Sequence, residues 1–288
     1  MAAVSHKGVV MRLLKQLGVV VAVALVGGLG VAAATGSALL TLALGIATAV
    51  LAVFAYGWVV RRTERRAPVE VALTGAGAAT RRGMLIGVGM FAVVLGSIAL
   101  FGGYRVAGWG SPAGMVTLFG VMAAAAVTEE LIFRGILFRI VEQRFGTWNA
   151  LTLTGLLFGL SHLFNPHASL WSSVAIAIEA GGMLAAAYAA TRTLWVPIGL
   201  HFGWNFAQAG LFGAAVSGNS EPAGLLEGVM SGPVAVSGGE FGPEASLFAV
   251  LAGAGLTIVF MWLARRRGGV VPAARRANVA GAVARLPR

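Results

Sequence analysis

Two adjacent carboxylates, Glu129 and Glu130, sit inside a run that otherwise reads as membrane, Ala123-Ala124-Ala125-Ala126-Val127-Thr128-Glu129-Glu130-Leu131-Ile132-Phe133-Arg134. An ionised carboxylate in hydrocarbon is costly unless it is paired or put to use. Any fold of this chain must therefore bring partners to these two residues. The medium follows from composition. Of 288 residues, 58% are hydrophobic and 11% charged, against about 25% charged in a soluble domain. This predicts an integral membrane protein. Cysteine is absent, which excludes disulfides and thiolate metal sites. In a membrane protein the net charge of +11 reports orientation and contact with anionic lipid, so no nucleic-acid partner is expected. The Ala/Gly/Val/Arg-rich usage points to a GC-rich bacterium, and hence to a bacterial cytoplasmic membrane.

Apolar runs near the ~20 residues needed to cross a bilayer cover 17–34, 37–60, 84–103, 112–133, 148–163, 170–190, 194–212 and 245–264. None alternates with the period of a membrane strand. The expected fold is all-α, a polytopic membrane protein of about eight transmembrane helices with a bundle-like core. With the N-terminus inside, 20 of the 21 basic residues fall in cytoplasmic segments, and only Arg105 falls outside. This predicts both termini in the cytoplasm. The first span resembles a signal peptide, with small residues ending at Ala38, but the second span follows so closely that a helical hairpin is favoured. Four regions are expected: an N-terminal hairpin and basic loop (1–82), a core (83–214), an outer loop with the last span (215–264), and a basic disordered tail (265–288).

Within the core the polar residues are few. Glu130 and Arg134 are four apart and share a helix face, so they can pair, while Glu129 points about 100° away. Span five ends in Phe158-Gly159-Leu160-Ser161-His162, and span seven carries His201-Phe202-Gly203-Trp204-Asn205. His201 and Asn205 again share a face. Gly155 with Gly159, and Gly199 with Gly203, have the spacing that lets helices approach closely. At 1.5 Å per residue the four candidates Glu129, His162, His201 and Asn205 can meet at one depth, read as toward the cytoplasmic half. Glu179 and Trp204, also within spans, are candidate cavity residues, Glu179 with pairing to Arg192 as its bland alternative.

Glu129-Glu130-x-x-x-Arg134, Phe158-x-x-x-His162 and His201-x-x-x-Asn205 occur in that order, each in its own hydrophobic span. In these motifs the chain resembles the CPBP family of intramembrane proteases, which includes the type II CAAX prenyl endopeptidases and bacterial Abi or bacteriocin-immunity-type proteins. The resemblance covers about 84–212. It implies peptide hydrolysis of a membrane-associated peptide or protein substrate within the lipid bilayer. Glu129 and His162 would activate water, His201 and Asn205 would stabilise the oxyanion, and Glu130, Arg134 and Phe158 would support the site. A carboxylate in a low-dielectric site is suited to the base role. A metal-free site is favoured. The alternative is zinc held by Glu129, His162 and His201, a known ligand type, but no His-Glu-x-x-His helix is present. A serine-protease reading of Ser161 lacks its elbow glycine and any Asp. Two other readings stand beside the protease: a transporter or proton-coupled channel, because buried Glu and His also relay protons, and a non-catalytic immunity-type scaffold.

Overall fold

The computed structural model describes residues 6–34, 36–219 and 223–273. The chain runs through α1 (His6–Ala33), α2 (Ala38–Glu64), α3 (Ala76–Leu100), β1 (Tyr104–Trp109), α4 (Pro112–Glu130), α5 (Arg139–Ser161), α6 (Leu170–Ile176), α7 (Met183–Thr191), α8 (Trp195–Asn205), β2 (Leu226–Met230), α9 (Val234–Ser237) and α10 (Leu247–Arg266). Three π-helical stretches interrupt this pattern. Leu131–Phe138 joins α4 to α5, Ala177–Gly182 joins α6 to α7, and Phe206–Leu211 extends α8. The fold is all-α and membrane-spanning in character, with one small antiparallel sheet of β1 and β2 among the described residues.

Among the described residues, six helices are long and apolar enough to cross a membrane: Gly8–Ala33, Ala38–Glu64, Ala76–Leu100, Pro112–Phe164, Leu170–Thr191 and Leu247–Arg266. The sequence reading counted eight, and two features account for the difference. Pro112–Phe164 is a single 53-residue run, in which Gly146 adopts φ 80° and ψ 168° and breaks the helix between α4 and the body of α5. That conformation is open to glycine at little cost. α8 has 11 residues and its π-helical extension 6, short of the ~20 of a perpendicular span.

The two ends of the bundle differ in charge. At one end Glu64 accepts from both terminal nitrogens of Arg139 at 2.7 and 2.6 Å, from Gln16 and from Arg66. Glu70 accepts a bidentate pair from Arg66 at 2.8 and 2.7 Å and a hydrogen bond from the Tyr56 hydroxyl. Burial pushes the Glu70 carboxyl up, but those hydrogen bonds outweigh it and hold the group below its ordinary value. Glu142 takes both terminal nitrogens of Arg192. Arg192 therefore does not meet Glu179. The chain after α10 docks at this end, through Thr147 N to Val271 O at 2.9 Å and Val271 N to Thr147 Oγ1 at 2.8 Å. The rest of the expected tail, 274–288, lies outside the described residues. The opposite end carries the sheet and the connecting residues 162–169, 212–219 and 223–246, held by bonds such as Gly110 N to Leu225 O at 2.9 Å and Gly218 N to Phe241 O at 2.7 Å.

Close backbone approach fixes where α8 sits. Gly83 and Gly87 of α3 face Gly199 and Gly203 of α8. A Cβ at Gly87 would lie 2.2 Å from Leu200 O, and one at Gly203 would lie 2.4 Å from Met84 O. The other glycine pair packs α5 on α6, with a Cβ at Gly159 falling 2.2 Å from Ser173 O. Both pairs hold the outsides of the site-bearing helices, leaving their polar faces free to turn inward. Replacing Gly87 with valine is expected to force α3 and α8 apart and cost about 3 kcal/mol, read as a lowered Tm of the detergent-solubilised protein. An unchanged Tm would mean that the helices part without loss.

Candidate active site

Glu130 is fully buried, and Arg134 is 1% exposed. Glu130 Oε1 accepts from Arg134 Nη1 at 2.7 Å and lies 3.0 Å from His201 Nδ1. A carboxylate that accepts these bonds requires Nδ1 of His201 to carry a proton. Nε2 of His201 is thereby turned toward Glu129, whose Oε2 is 4.0 Å away. Glu130 thus joins the arginine predicted from the i, i+4 spacing to a histidine on another helix, a contact the spacing did not signal. The second terminal nitrogen of Arg134 donates to Ala180 O at 3.0 Å and Gly181 O at 3.1 Å. Its guanidinium also lies 4.6 Å from the centroid of the Phe158 ring, a favourable cation–π distance.

Glu129 diverges from its neighbour as the helix geometry demands. Its side chain keeps 33% exposure and lines a cavity of about 130 Å³, room for several waters. His162, His201 and Asn205 line the same cavity, as do Phe158, Glu179 and Trp204. His162 follows the last turn of α5, with Nδ1 2.8 Å from Phe158 O. A carbonyl accepts only, so Nδ1 donates and Nε2 is left unbonded. Phe158 supports that ring at 4.8 Å between centroids. Asn205 makes no hydrogen bond to another described residue and is 9% exposed. Glu179, which is 1% exposed, has an Oε1 without a partner, and Trp204 Nε1 is likewise unpaired. The three π-helical stretches lie close to cavity residues: one begins two residues past Glu129, one contains Glu179, and one follows Asn205. Such irregular turns concentrate at functional sites.

Two findings were not legible in the sequence. Glu244, assigned to an outer loop, is 3% exposed and lines the cavity. Its Oε2 accepts from Ser217 N at 2.5 Å and Ser217 Oγ at 3.0 Å. Burial pushes its carboxyl up, against the pull of the Ser217 hydrogen bonds. The second finding concerns depth. Asn165, Val216, Ser217 and Asn219 also line the cavity, and all belong to connections at the end opposite the arginine clusters. Counting residues along straight helices placed the site toward the arginine-rich half. The in-folded 213–219 segment and Glu244 bring part of its lining from the other end.

Among the described residues, no group of three His, Cys, Asp or Glu side chains is arranged to hold a metal ion. The proposed zinc set of Glu129, His162 and His201 shares the cavity without converging as ligands, so no step is derived through zinc.

Residues 109–207 match the family model described as Type II CAAX prenyl endopeptidase Rce1-like. The match spans Glu129 to Asn205 and stops short of Glu244. It supports a CAAX-type protease role within the membrane. No curated protein and no solved structure gives a significant match. Replacing Glu130 with alanine is expected to strand the Arg134 guanidinium and to cost about 3–5 kcal/mol, the usual result of leaving a buried charge uncompensated, measured as a fall in Tm. An unaltered Tm would show that the Ala180 and Gly181 carbonyls and the Phe158 ring suffice.

Proposed function

We infer from the family match that the chain belongs to the CPBP family, and we propose that it is an intramembrane endopeptidase whose water is activated by Glu129 with His162. The observation that carries the reading is one cavity lined by Glu129, His162, His201 and Asn205, side chains from three separated stretches of sequence. Glu129 is the partly exposed acid of the pair, and its Oε2 makes no hydrogen bond. Nε2 of His162, with its Nδ1 committed to Phe158 O, is the second acceptor for the same water. The water oxygen adds to the peptide carbonyl, and its proton passes to Glu129 and then to the departing amine as the C–N bond breaks. The negative charge formed on the carbonyl oxygen is met by the Asn205 amide and by Nε2–H of His201. That nitrogen donates when the ring is doubly protonated, a state favoured by the Glu130 carboxylate on its far side. Glu130 and Arg134 act as positioning residues.

The reading is metal-free, in keeping with the lack of a His-Glu-x-x-His helix. The chain would sit in a cytoplasmic membrane with both termini in the cytoplasm, since the basic residues gather at one end. Its partners are the lipid bilayer and a membrane-associated peptide or protein. The full chain, purified in detergent and offered a library of quenched fluorogenic peptides, is expected to cleave a subset. Glu129→Gln is expected to abolish that cleavage while leaving Tm unchanged. A fully active Glu129→Gln variant would end the proposal, and proteoliposome flux that survives this substitution would favour a transporter. Asn205→Ala is expected to lower kcat by ~10²–10³, the usual loss of one oxyanion donor. A wild-type rate would remove Asn205 from the mechanism.

A further inference from the structure

The arginine-rich end and the cavity mouth lie at opposite ends of the bundle. α5 leaves the arginine end at Thr147, which bonds to Val271, and reaches the cavity only where His162 follows its last turn. α8 leaves the same end at Leu194, whose N donates to Glu70 O at 2.8 Å, and delivers Asn205 as its last residue. Cavity-lining residues outside the helices all come from the far connections. Asn165 Nδ2 donates to Ser217 O at 3.0 Å, Ser217 is clasped by Glu244, and Asn219 is exposed beside them. Among described residues that end holds one basic side chain, Arg105, together with Glu227, Glu240 and Glu244.

We propose that the cavity opens on the non-cytoplasmic face, and that its substrate is a peptide segment emerging from the membrane on that side. Basic residues near spans are retained in the cytoplasm, and here they define the end away from the mouth. This rests on the endopeptidase reading, and it departs from cleavage of a carboxy-terminal tripeptide presented from the cytoplasm. The lining supports the same departure independently. It contains Glu129, Glu179 and Glu244 and no lysine or arginine. A free terminal carboxylate entering this site would meet these carboxyl groups, and the imidazolium of His201 that could answer it is already flanked by Glu130 and Glu129. An internal bond of a neutral or basic juxtamembrane segment meets no such penalty.

The absence of cysteine makes the test direct. Asn219→Cys places a thiol at the mouth, and Ala78→Cys places one at the exposed start of α3, at the other end. Neither substitution alters the charge map. On intact cells producing the full chain, a membrane-impermeant maleimide is expected to label Asn219→Cys and to reach Ala78→Cys only after permeabilisation. Labelling of Ala78→Cys on intact cells, with Asn219→Cys silent until permeabilisation, overturns the proposal. A second arm compares protein termini in membranes from cells producing wild type or Glu129→Gln. Termini that depend on Glu129 are expected in segments flanking spans on the outer face. Glu129-dependent termini in cytoplasmic segments overturn the proposal. If no terminus depends on Glu129, the endopeptidase reading falls, and the labelling still decides which face the cavity meets.

Discussion

A buried carboxylate shared between a guanidinium and an imidazole holds this site together. Glu130 sits in the protein interior, and its Oε1 receives both Arg134 and His201. Either charge alone in that position would be costly, and the pair becomes tolerable through complementary hydrogen bonds. The second terminal nitrogen of Arg134 donates to the carbonyls of Ala180 and Gly181, inside a π-helical stretch. A regular α-helix would commit those carbonyls to its own ladder. The wider turn re-aims them toward a neighbouring helix. One ion pair thus ties together the helix that carries both glutamates, the helix that carries His201, and the irregular segment that carries Glu179.

That arrangement explains why two adjacent glutamates end in different circumstances. Their side chains diverge by about 100° around the helix. Glu130 is turned into the packed interior and neutralised, while Glu129 is turned into a small wet cavity and left available. Being anchored through Glu130, the helix cannot rotate Glu129 away from the cavity without dragging Arg134 off its carbonyls. The rigid member positions the reactive one.

Much of this was legible in the sequence, for identifiable reasons. The Glu130–Arg134 pair follows from i, i+4 spacing, and the placing of the polar residues within apolar helices follows from hydropathy. The break between the spans 112–133 and 148–163 was legible because polar and charged residues separate the two apolar runs. Three features were hidden. Glu244 lies in a segment with no periodicity, and nothing local distinguishes a loop that folds inward from one that stays in water. The Glu130–His201 contact joins residues 71 apart, and spacing rules reach only one or two turns. The π-helical stretches leave no mark in hydropathy, yet they shift the facing of later residues. Residue counting along ideal helices therefore does not show which connections supply the cavity's lining.

The same geometry weighs against the proton-relay reading of these residues. A relay needs groups that gain and lose protons in series across the membrane. From the cavity the polar path runs through His201 and Glu130 to Arg134, whose guanidinium holds its protons at all accessible pH. Beyond it lie backbone carbonyls and the buried apolar side chains of Ile136 and Phe138. The carboxylates Glu64, Glu70 and Glu142 at the arginine end are each saturated by arginine. A path that ends on a fixed cation can hold a charge in place, but it cannot pass one on. Holding charge in place beside a water-filled pocket is what stabilising an oxyanion requires.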